Sequence, residues 1–284
     1  MPSKMPLVSR RSDRGTVVDV AGVRFGAGEF VLIGGPCSIE DREQIEAAAR
    51  AVGDGGGQML RGGAYKPRTS PYDFQGLGAD ALPLIEEAGR RNGLPVVVEV
   101  LAESQATLVA AYADMLQIGA RNMQNVALLR AVARTGLPIL LKRGPAATLD
   151  EMLSAAEYIL VEGNERIVLC ERGIRGFDSH TRNVCDLGGA LRLKELSHLP
   201  VILDPSHASG RRSLIEPLTL AGAAAGLDGA MIEVHPDPDA SVSDAAQAID
   251  GETFTRIADR VQMIRKALDG NRVRRDLGVP APVA

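Results

Sequence analysis

The chain has 284 residues, 45% of them hydrophobic and 24% charged, the proportions of a globular protein long enough to bury a large core. A formal net charge of −4, 3% aromatics and no tryptophan exclude a polyanion-coating or base-stacking protein, so no nucleic-acid partner is expected. Three cysteines, Cys37, Cys170 and Cys185, are too few and odd in number for a disulfide framework, and point to a reducing, cytoplasmic compartment.

Met1 to Arg14 is polar and basic, and reads as an N-terminal tail rather than a signal peptide. No apolar run reaches the roughly 18 residues of a membrane span, so no membrane partner is expected. Val17 to Phe25 alternates like a small hairpin. After it, short apolar runs alternate with longer Ala/Leu/Glu/Arg-rich ones. The runs Phe30–Gly34, Gln58–Arg61, Pro95–Leu101, Met115–Ile118, Pro138–Lys142, Arg166–Cys170, Val201–Asp204 and Gly229–Val234 read as strands. They are continuously apolar, as parallel strands covered on both faces must be. Helices are expected near 41–53, 79–92, 103–113, 124–135, 148–162, 183–198, 211–226 and 243–268. Ser38 and Asp150 sit where caps are needed, and Asn92-Gly93 and Thr135-Gly136 read as helix ends. From Asp269 onward the chain reads as an irregular tail.

Eight such pairs over roughly 250 residues is the count of a (β/α)8 TIM barrel, with the hairpin closing its N-terminal end. A doubly wound open sheet is the competing fold, but it would offer one crevice, whereas polar clusters here follow nearly every strand. The expected organisation is a tail over 1–14, one catalytic barrel with its hairpin over 15–268, and a tail over 269–284.

In such a barrel the strand C-termini form the active site. Those ends carry Gly35-Pro36-Cys37-Ser38, Arg61 to Ser70, Glu99, Gln117 to Arg121, Lys142, Glu171-Arg172, Asp204-Pro205-Ser206-His207 and Glu233-Val234-His235. Cations gathered on one rim of a mildly acidic protein suit a small ligand with more than one anionic group. Arg143 and Arg175 read instead as surface charges.

The motifs Gly-Pro-Cys-Ser, Arg61…Lys66-Pro-Arg-Thr-Ser, Gln117-Ile-Gly-Ala-Arg-Asn-Met-Gln-Asn125, Leu141-Lys-Arg-Gly, Asp204-Pro-Ser-His-Ala-Ser-Gly210 and Ile232-Glu-Val-His-Pro, in this order, carry a resemblance. The chain resembles the 3-deoxy-D-arabino-heptulosonate 7-phosphate (DAHP) synthases from about Val17 to Lys266. The branch it resembles is the compact type Iβ one related to the 3-deoxy-octulosonate 8-phosphate synthases. That resemblance implies the first reaction of the shikimate pathway, in which phosphoenolpyruvate, erythrose 4-phosphate and water give the heptulosonate phosphate and phosphate.

It also implies roles. Cys37, His207 and Glu233 would come from neighbouring strands to bind one metal, with Asp244 as the fourth ligand. Taken singly, Cys37 reads equally as a buried thiol and His207 as a turn histidine. Mixed S, N and O donors suit a divalent ion such as Mn, Fe, Co or Zn. For phosphoenolpyruvate the resemblance implies Arg121, Arg172 and the Ala120 backbone at the phosphate, and Arg61, Lys66 and Lys142 at the carboxylate. For erythrose 4-phosphate it implies Pro67, Arg68, Thr69 and Ser70, with Asp244 nearby. Lys66 is the expected proton donor to the new alkoxide, its pKa lowered by burial among cations. Glu99 is expected to orient or deprotonate the attacking water, against the plainer role of a salt bridge to a rim cation. His235 is a candidate for shuttling protons or holding a metal-bound water.

Lys66-Pro67-Arg68-Thr69-Ser70 and the Gly-Ala-Arg-Asn run match the heptulosonate pattern and not that of the octulosonate synthases, which remain the nearest alternative. A non-catalytic phosphometabolite-binding barrel and a class II aldolase are the others. A homo-oligomer, dimer or tetramer, is expected by analogy. About 15 residues precede the hairpin, too few for the regulatory domain or fused mutase of some related enzymes. Feedback inhibition of this chain alone by tyrosine or phenylalanine is therefore not expected.

Overall fold

The computed structural model describes residues 5–10, 15–68, 70 and 72–276, the side chains of 269–276 excepted. Strands β1 (Val18–Val20) and β2 (Val23–Phe25) pair as an antiparallel hairpin. Eight parallel strands then close a barrel: β3 (Val31–Gly35), β4 (Met59–Arg61), β5 (Val96–Val100), β6 (Met115–Ile118), β7 (Ile139–Lys142), β8 (Ile167–Glu171), β9 (Val201–Leu203) and β10 (Gly229–Glu233). Closure comes from β10 pairing with β3, with Glu233 opposite Gly35. This puts the last strand's end beside Cys37, far from it in sequence.

Nine α-helices are described: α1 (Arg42–Asp54), α2 (Ala81–Arg91), α3 (Ala106–Ala110), α4 (Val126–Ala133), α5 (Leu149–Val161), α6 (Leu187–Leu196), α7 (Pro205–Ser209), α8 (Arg212–Ala225) and α9 (Gly251–Asp276). Two apolar layers result, because successive strand side chains point to opposite faces. Leu32, Leu60, Val96, Val98 and Leu116 join the helix-facing layer. Val31, Ile33, Val97, Leu140 and Val168 fill the barrel interior, and Val18, Val20 and Phe25 of the hairpin complete that interior cluster. The hairpin thus closes the barrel floor as expected.

Some boundaries differ from the sequence reading. Asp41, not Ser38, caps α1 by accepting from Gln44 N. Thr148, not Asp150, caps α5, and Glu151 completes a capping box. The glycines Gly93 and Gly136 do take the left-handed backbone that ends a helix, with φ of 65° and 74°. The last helix begins at Gly251 rather than near 243, and runs through Asp276, past Asp269 where an irregular tail was expected. Short α7 was not foreseen. Residues 5–10, expected in a tail, bury Val8 and bond Leu7 N and Val8 N to the Glu157 carboxylate at 2.9 and 2.7 Å. Among the described residues no helix is long and apolar enough to cross a membrane.

Candidate active site

A cavity of about 470 Å³ opens at the C-terminal end of the barrel. Its lining brings together Cys37, Arg61, Lys66, Pro67, Arg68, Glu99, Ala120, Arg121, Lys142, Arg172, His207 and Asp244, all singled out in the sequence. They come from eight separate strand ends, so only barrel closure assembles them.

At the floor, Cys37 Sγ, His207 Nε2 and carboxylate oxygens of Glu233 and Asp244 all lie within 4.8 Å of one another. Protonation logic decides what this cluster can do. Asp204, 1% exposed, accepts from His207 Nδ1 at 2.8 Å and from His207 N at 2.9 Å. A carboxylate only accepts, so Nδ1 carries the imidazole proton and Nε2 presents a lone pair. Burial lowers the His207 pKa, against the pull of Asp204 and Glu233, which keeps the ring neutral. Nε2 then faces Glu233 Oε1 at 3.0 Å and Cys37 Sγ at 3.6 Å. Glu233 Oε1 is buried with no hydrogen-bond partner. An imidazole lone pair and an orphaned carboxylate oxygen facing each other repel, and a cation bound by both would relieve this. The donor set therefore fits a divalent metal, with Asp204 as the outer carboxylate that orients the histidine. Burial, with Glu233 adding to it, pushes the Cys37 thiol up to about 11, while Lys66 and Arg61 oppose the shift. A bound metal would take that proton's place.

Lys66 departs from expectation. Nζ contacts Cys37 Sγ and lies 3.0 Å from Asp244 Oδ2. Burial does lower its pKa, but Cys37, Glu233 and Asp244 outweigh burial, and the value is raised. The neighbours within reach are a thiol and a carboxylate, not the expected cations. The same pairing acts on Asp244: burial opposes ionisation, yet Lys66, with Arg182, holds its carboxyl well below the usual range. Asp244 is held in a left-handed backbone, φ 60°, one of two non-glycine residues so placed among those described.

The upper cavity is ringed by cations. Buried Lys142 ion-pairs with Asp204, which therefore links it to His207. Burial also works against Asp204, but His207 and Lys142 hold it well below the usual carboxylate range. Arg172 is buried, and burial lowers its pKa. Arg61, 4% exposed, places a guanidinium nitrogen with no hydrogen bond 3.6 Å from Glu233 Oε1. Arg121 donates to Pro67 O at 2.9 Å, joining the cation ring to the loop after β4. In that loop Arg68 donates to Phe74 O and Val242 O. Ser70 Oγ accepts from Tyr72 N instead of lining the cavity. Thr69 lies outside the described residues.

Glu99 makes no ion pair among the described residues, and its Oε2 accepts from Gln117 Nε2 at 3.0 Å. The carboxylate lies so close to Gly119 that a Cβ there would sit 1.8 Å from Oε1. That close approach explains the glycine after β6. His235 is not brought to the cavity: its Nε2 lies 3.3 Å from Glu40 Oε1 without hydrogen-bond alignment, and its Nδ1 accepts from Asp237 N.

One surface assignment is corrected, and Arg175 is exposed as expected, at the cavity wall. Arg143 is buried, and pairs with Glu171 at 2.9 Å and Asp186 at 2.8 Å. Burial raises the Glu171 pKa against Arg143's pull. Arg175 lines the cavity, as does Arg182, which sequence reasoning missed. Both lie in the excursion after β8 that folds back through the Ile174–Val184 bridge, and nothing in residue spacing announces that return. Asp204 was readable: its place three residues before His207 lets a carboxylate reach the ring.

The family model described as DAHP synthetase I matches residues 12–269. The chain is 46% identical over 263 residues to a phospho-2-dehydro-3-deoxyheptonate aldolase of Thermotoga maritima, covering 92% of this chain and 78% of that one. A crystal structure of such an aldolase from that organism superposes with a TM-score of 0.89 at 46% identity, covering 92% of this chain and 77% of that one. A truncated 3-deoxy-D-arabino-heptulosonate 7-phosphate synthase of Thermotoga maritima superposes at 0.87 with 42% identity, over 94% and 98% of the two chains. A 2-dehydro-3-deoxyphosphooctonate aldolase of Magnetococcus marinus is 33% identical, over 91% of this chain and 94% of that one. Profile, identity over nearly the whole length and superposition agree, and the chain belongs to the DAHP synthetase I family.

Proposed function

We propose that this chain condenses phosphoenolpyruvate with erythrose 4-phosphate and water, giving 3-deoxy-D-arabino-heptulosonate 7-phosphate and phosphate, the first step of the shikimate pathway. The observation that carries the reading is one cavity with four metal-type donors at its floor and a ring of cations above. Residues 15–268 act as a single catalytic unit. The protein works in the cytoplasm as a homo-oligomer, with no nucleic-acid or membrane partner.

Cys37, His207, Glu233 and Asp244 hold one divalent ion, Mn, Fe, Co or Zn. When bound, that ion supplies Lewis acidity toward the aldehyde oxygen and a template for orientation. Arg121, Arg172 and the Ala120 backbone bind the phosphate of phosphoenolpyruvate, while Arg61, Lys66 and Lys142 hold its carboxylate. Pro67, Arg68 and Thr69 seat the phosphate end of the aldose, and Asp244 faces its other end. C3 of phosphoenolpyruvate attacks the aldehyde carbon, and water adds at C2. Glu99, beside Gln117, orients that water or takes its proton. Phosphate leaves by C–O cleavage. Lys66 protonates the new alkoxide; its raised pKa means that it arrives protonated, as an acid must.

The test is phosphate release from phosphoenolpyruvate with each of two aldoses, erythrose 4-phosphate and arabinose 5-phosphate, before and after chelation. Turnover with the four-carbon aldose, lost to chelator and restored by Mn, is expected. Turnover with the five-carbon aldose alone would make the chain an octulosonate phosphate synthase. Activity untouched by complete metal removal would contradict the metal assignment.

A further inference from the structure

Gln247 stands outside every motif discussed, yet it is 3% exposed and its side-chain amide is fully engaged. Nε2 donates to Glu233 Oε2 at 3.1 Å, and Oε1 accepts from an Arg182 guanidinium nitrogen at 2.9 Å. The same Arg182 nitrogen donates to Asp244 Oδ1 at 3.2 Å. The amide has only one consistent orientation here, since the guanidinium only donates and the carboxylate only accepts. One continuous chain of hydrogen bonds, Glu233–Gln247–Arg182–Asp244, thus joins two carboxylates that arrive from different parts of the sequence.

The consequence for Glu233 is specific. Its Oε2 is occupied by the amide while Oε1 has no hydrogen-bond partner and faces His207 Nε2 and Arg61. The consequence for Asp244 is also specific. Gln247 N donates to Asp244 O at 3.0 Å, closing the turn that follows the left-handed Asp244 backbone, a conformation non-glycine residues rarely adopt. Arg182 holds the Asp244 side chain from one oxygen and Lys66 from the other.

Resting on the metal reading above, we propose that Gln247, with Arg182 behind it, is a positioning residue of the metal centre: it restricts Glu233 to one donor oxygen and fixes Asp244 against it. Neither residue is a ligand. Their effect is on how tightly, and through how many carboxylate oxygens, the ion is held. Outer partners of this kind change metal affinity by about 10–100-fold.

The test is cobalt(II) titration of the metal-free full chain, followed by thiolate-to-cobalt absorption in the near ultraviolet and the visible d–d bands. It needs no turnover. The variants are Gln247→Met, which keeps volume without the amide, and Arg182→Ala and Arg182→Lys at a side chain 40% exposed. Gln247→Met is expected to weaken cobalt binding about tenfold or more and to change the d–d bands, as Glu233 Oε2 becomes free. Arg182→Ala should weaken binding in the same direction, and Arg182→Lys should recover part of the loss. Circular dichroism melts establish that each variant is folded. If Gln247→Met does not fold, the two Arg182 variants decide. A wild-type cobalt–thiolate band with unchanged affinity and spectrum in the folded variants overturns this inference alone. No such band in the wild type overturns the metal reading and the inference with it.

Discussion

Lys66→Ala is expected to lower kcat by about a thousandfold, within the range for removal of a positioned general acid, while leaving a folded barrel. Lys66 contacts two metal-site donors, Cys37 and Asp244, and faces the cavity. Among the described residues no other lysine or arginine touches both. The side chain lies in a cavity wall, 10% exposed, so water can enter the space it leaves. The lost hydrogen bond to the Asp244 carboxylate costs about 1.5–3 kcal/mol, which a domain stable by about 5–15 kcal/mol survives. The measurement is steady-state kinetics beside thermal melts of the metal-loaded protein. A kcat within tenfold of wild type would reject the acid role. A collapsed melting transition would reassign Lys66 to structure.

Asp204→Asn is the second large effect, and its cost falls on stability and metal affinity together. Asp204 counters Lys142, which is 3% exposed, and fixes the protonated nitrogen of His207. An asparagine oxygen can still accept one hydrogen bond but brings no charge. Leaving a buried cation unpaired costs about 3–5 kcal/mol. Losing the outer carboxylate behind a ligating histidine weakens metal binding by about 10–100-fold. The pH dependence has a definite sign. Asp204 is depressed in the folded state, so its stabilisation is present above the ordinary carboxylate value of about 3.9 and fades as pH falls below it. Denaturant midpoints should therefore show the full difference between wild type and variant at neutral pH and a shrinking one below about pH 4. Equal midpoints at pH 7 would show that Lys142 does not depend on Asp204.

The barrel was legible because parallel strands covered on both faces give short, unbroken apolar runs, and all eight of those runs are strands. The misreadings have local causes. Ala245–Gln247 forms one turn of 3-10 helix but does not run on into the last α-helix: Arg212 donates to Ala245 O and Ala248 O, and Glu40 takes Val242 N. Side chains from elsewhere thus claim the backbone groups a helix would use. Pro205–Ser209 is too short for a periodic pattern, although Asp204 and Pro205 are standard helix-start residues. Thr148-x-x-Glu151 was a readable capping box, overlooked in favour of Asp150.

The site divides the same way. Residues at strand ends converge as their order along the barrel requires. Those that reach the cavity by loop folding, Arg175 and Arg182, carry no mark in the sequence beyond their charge. Gln247 was invisible because its role depends on which carboxylate oxygen lies free. Lys66 lines the cavity, but its environment was misread, since strand-end lists record cations readily but not which acceptors fold against them.

The central claim is that Cys37, His207, Glu233 and Asp244 converge on one divalent ion beneath the cation ring. Anomalous diffraction from crystals of the Mn- or Co-loaded protein tests it directly. The account predicts a single strong peak within about 2.0–2.6 Å of Cys37 Sγ, His207 Nε2 and a carboxylate oxygen of each acid. A peak elsewhere, or none at this cluster in protein shown to contain metal, would contradict it.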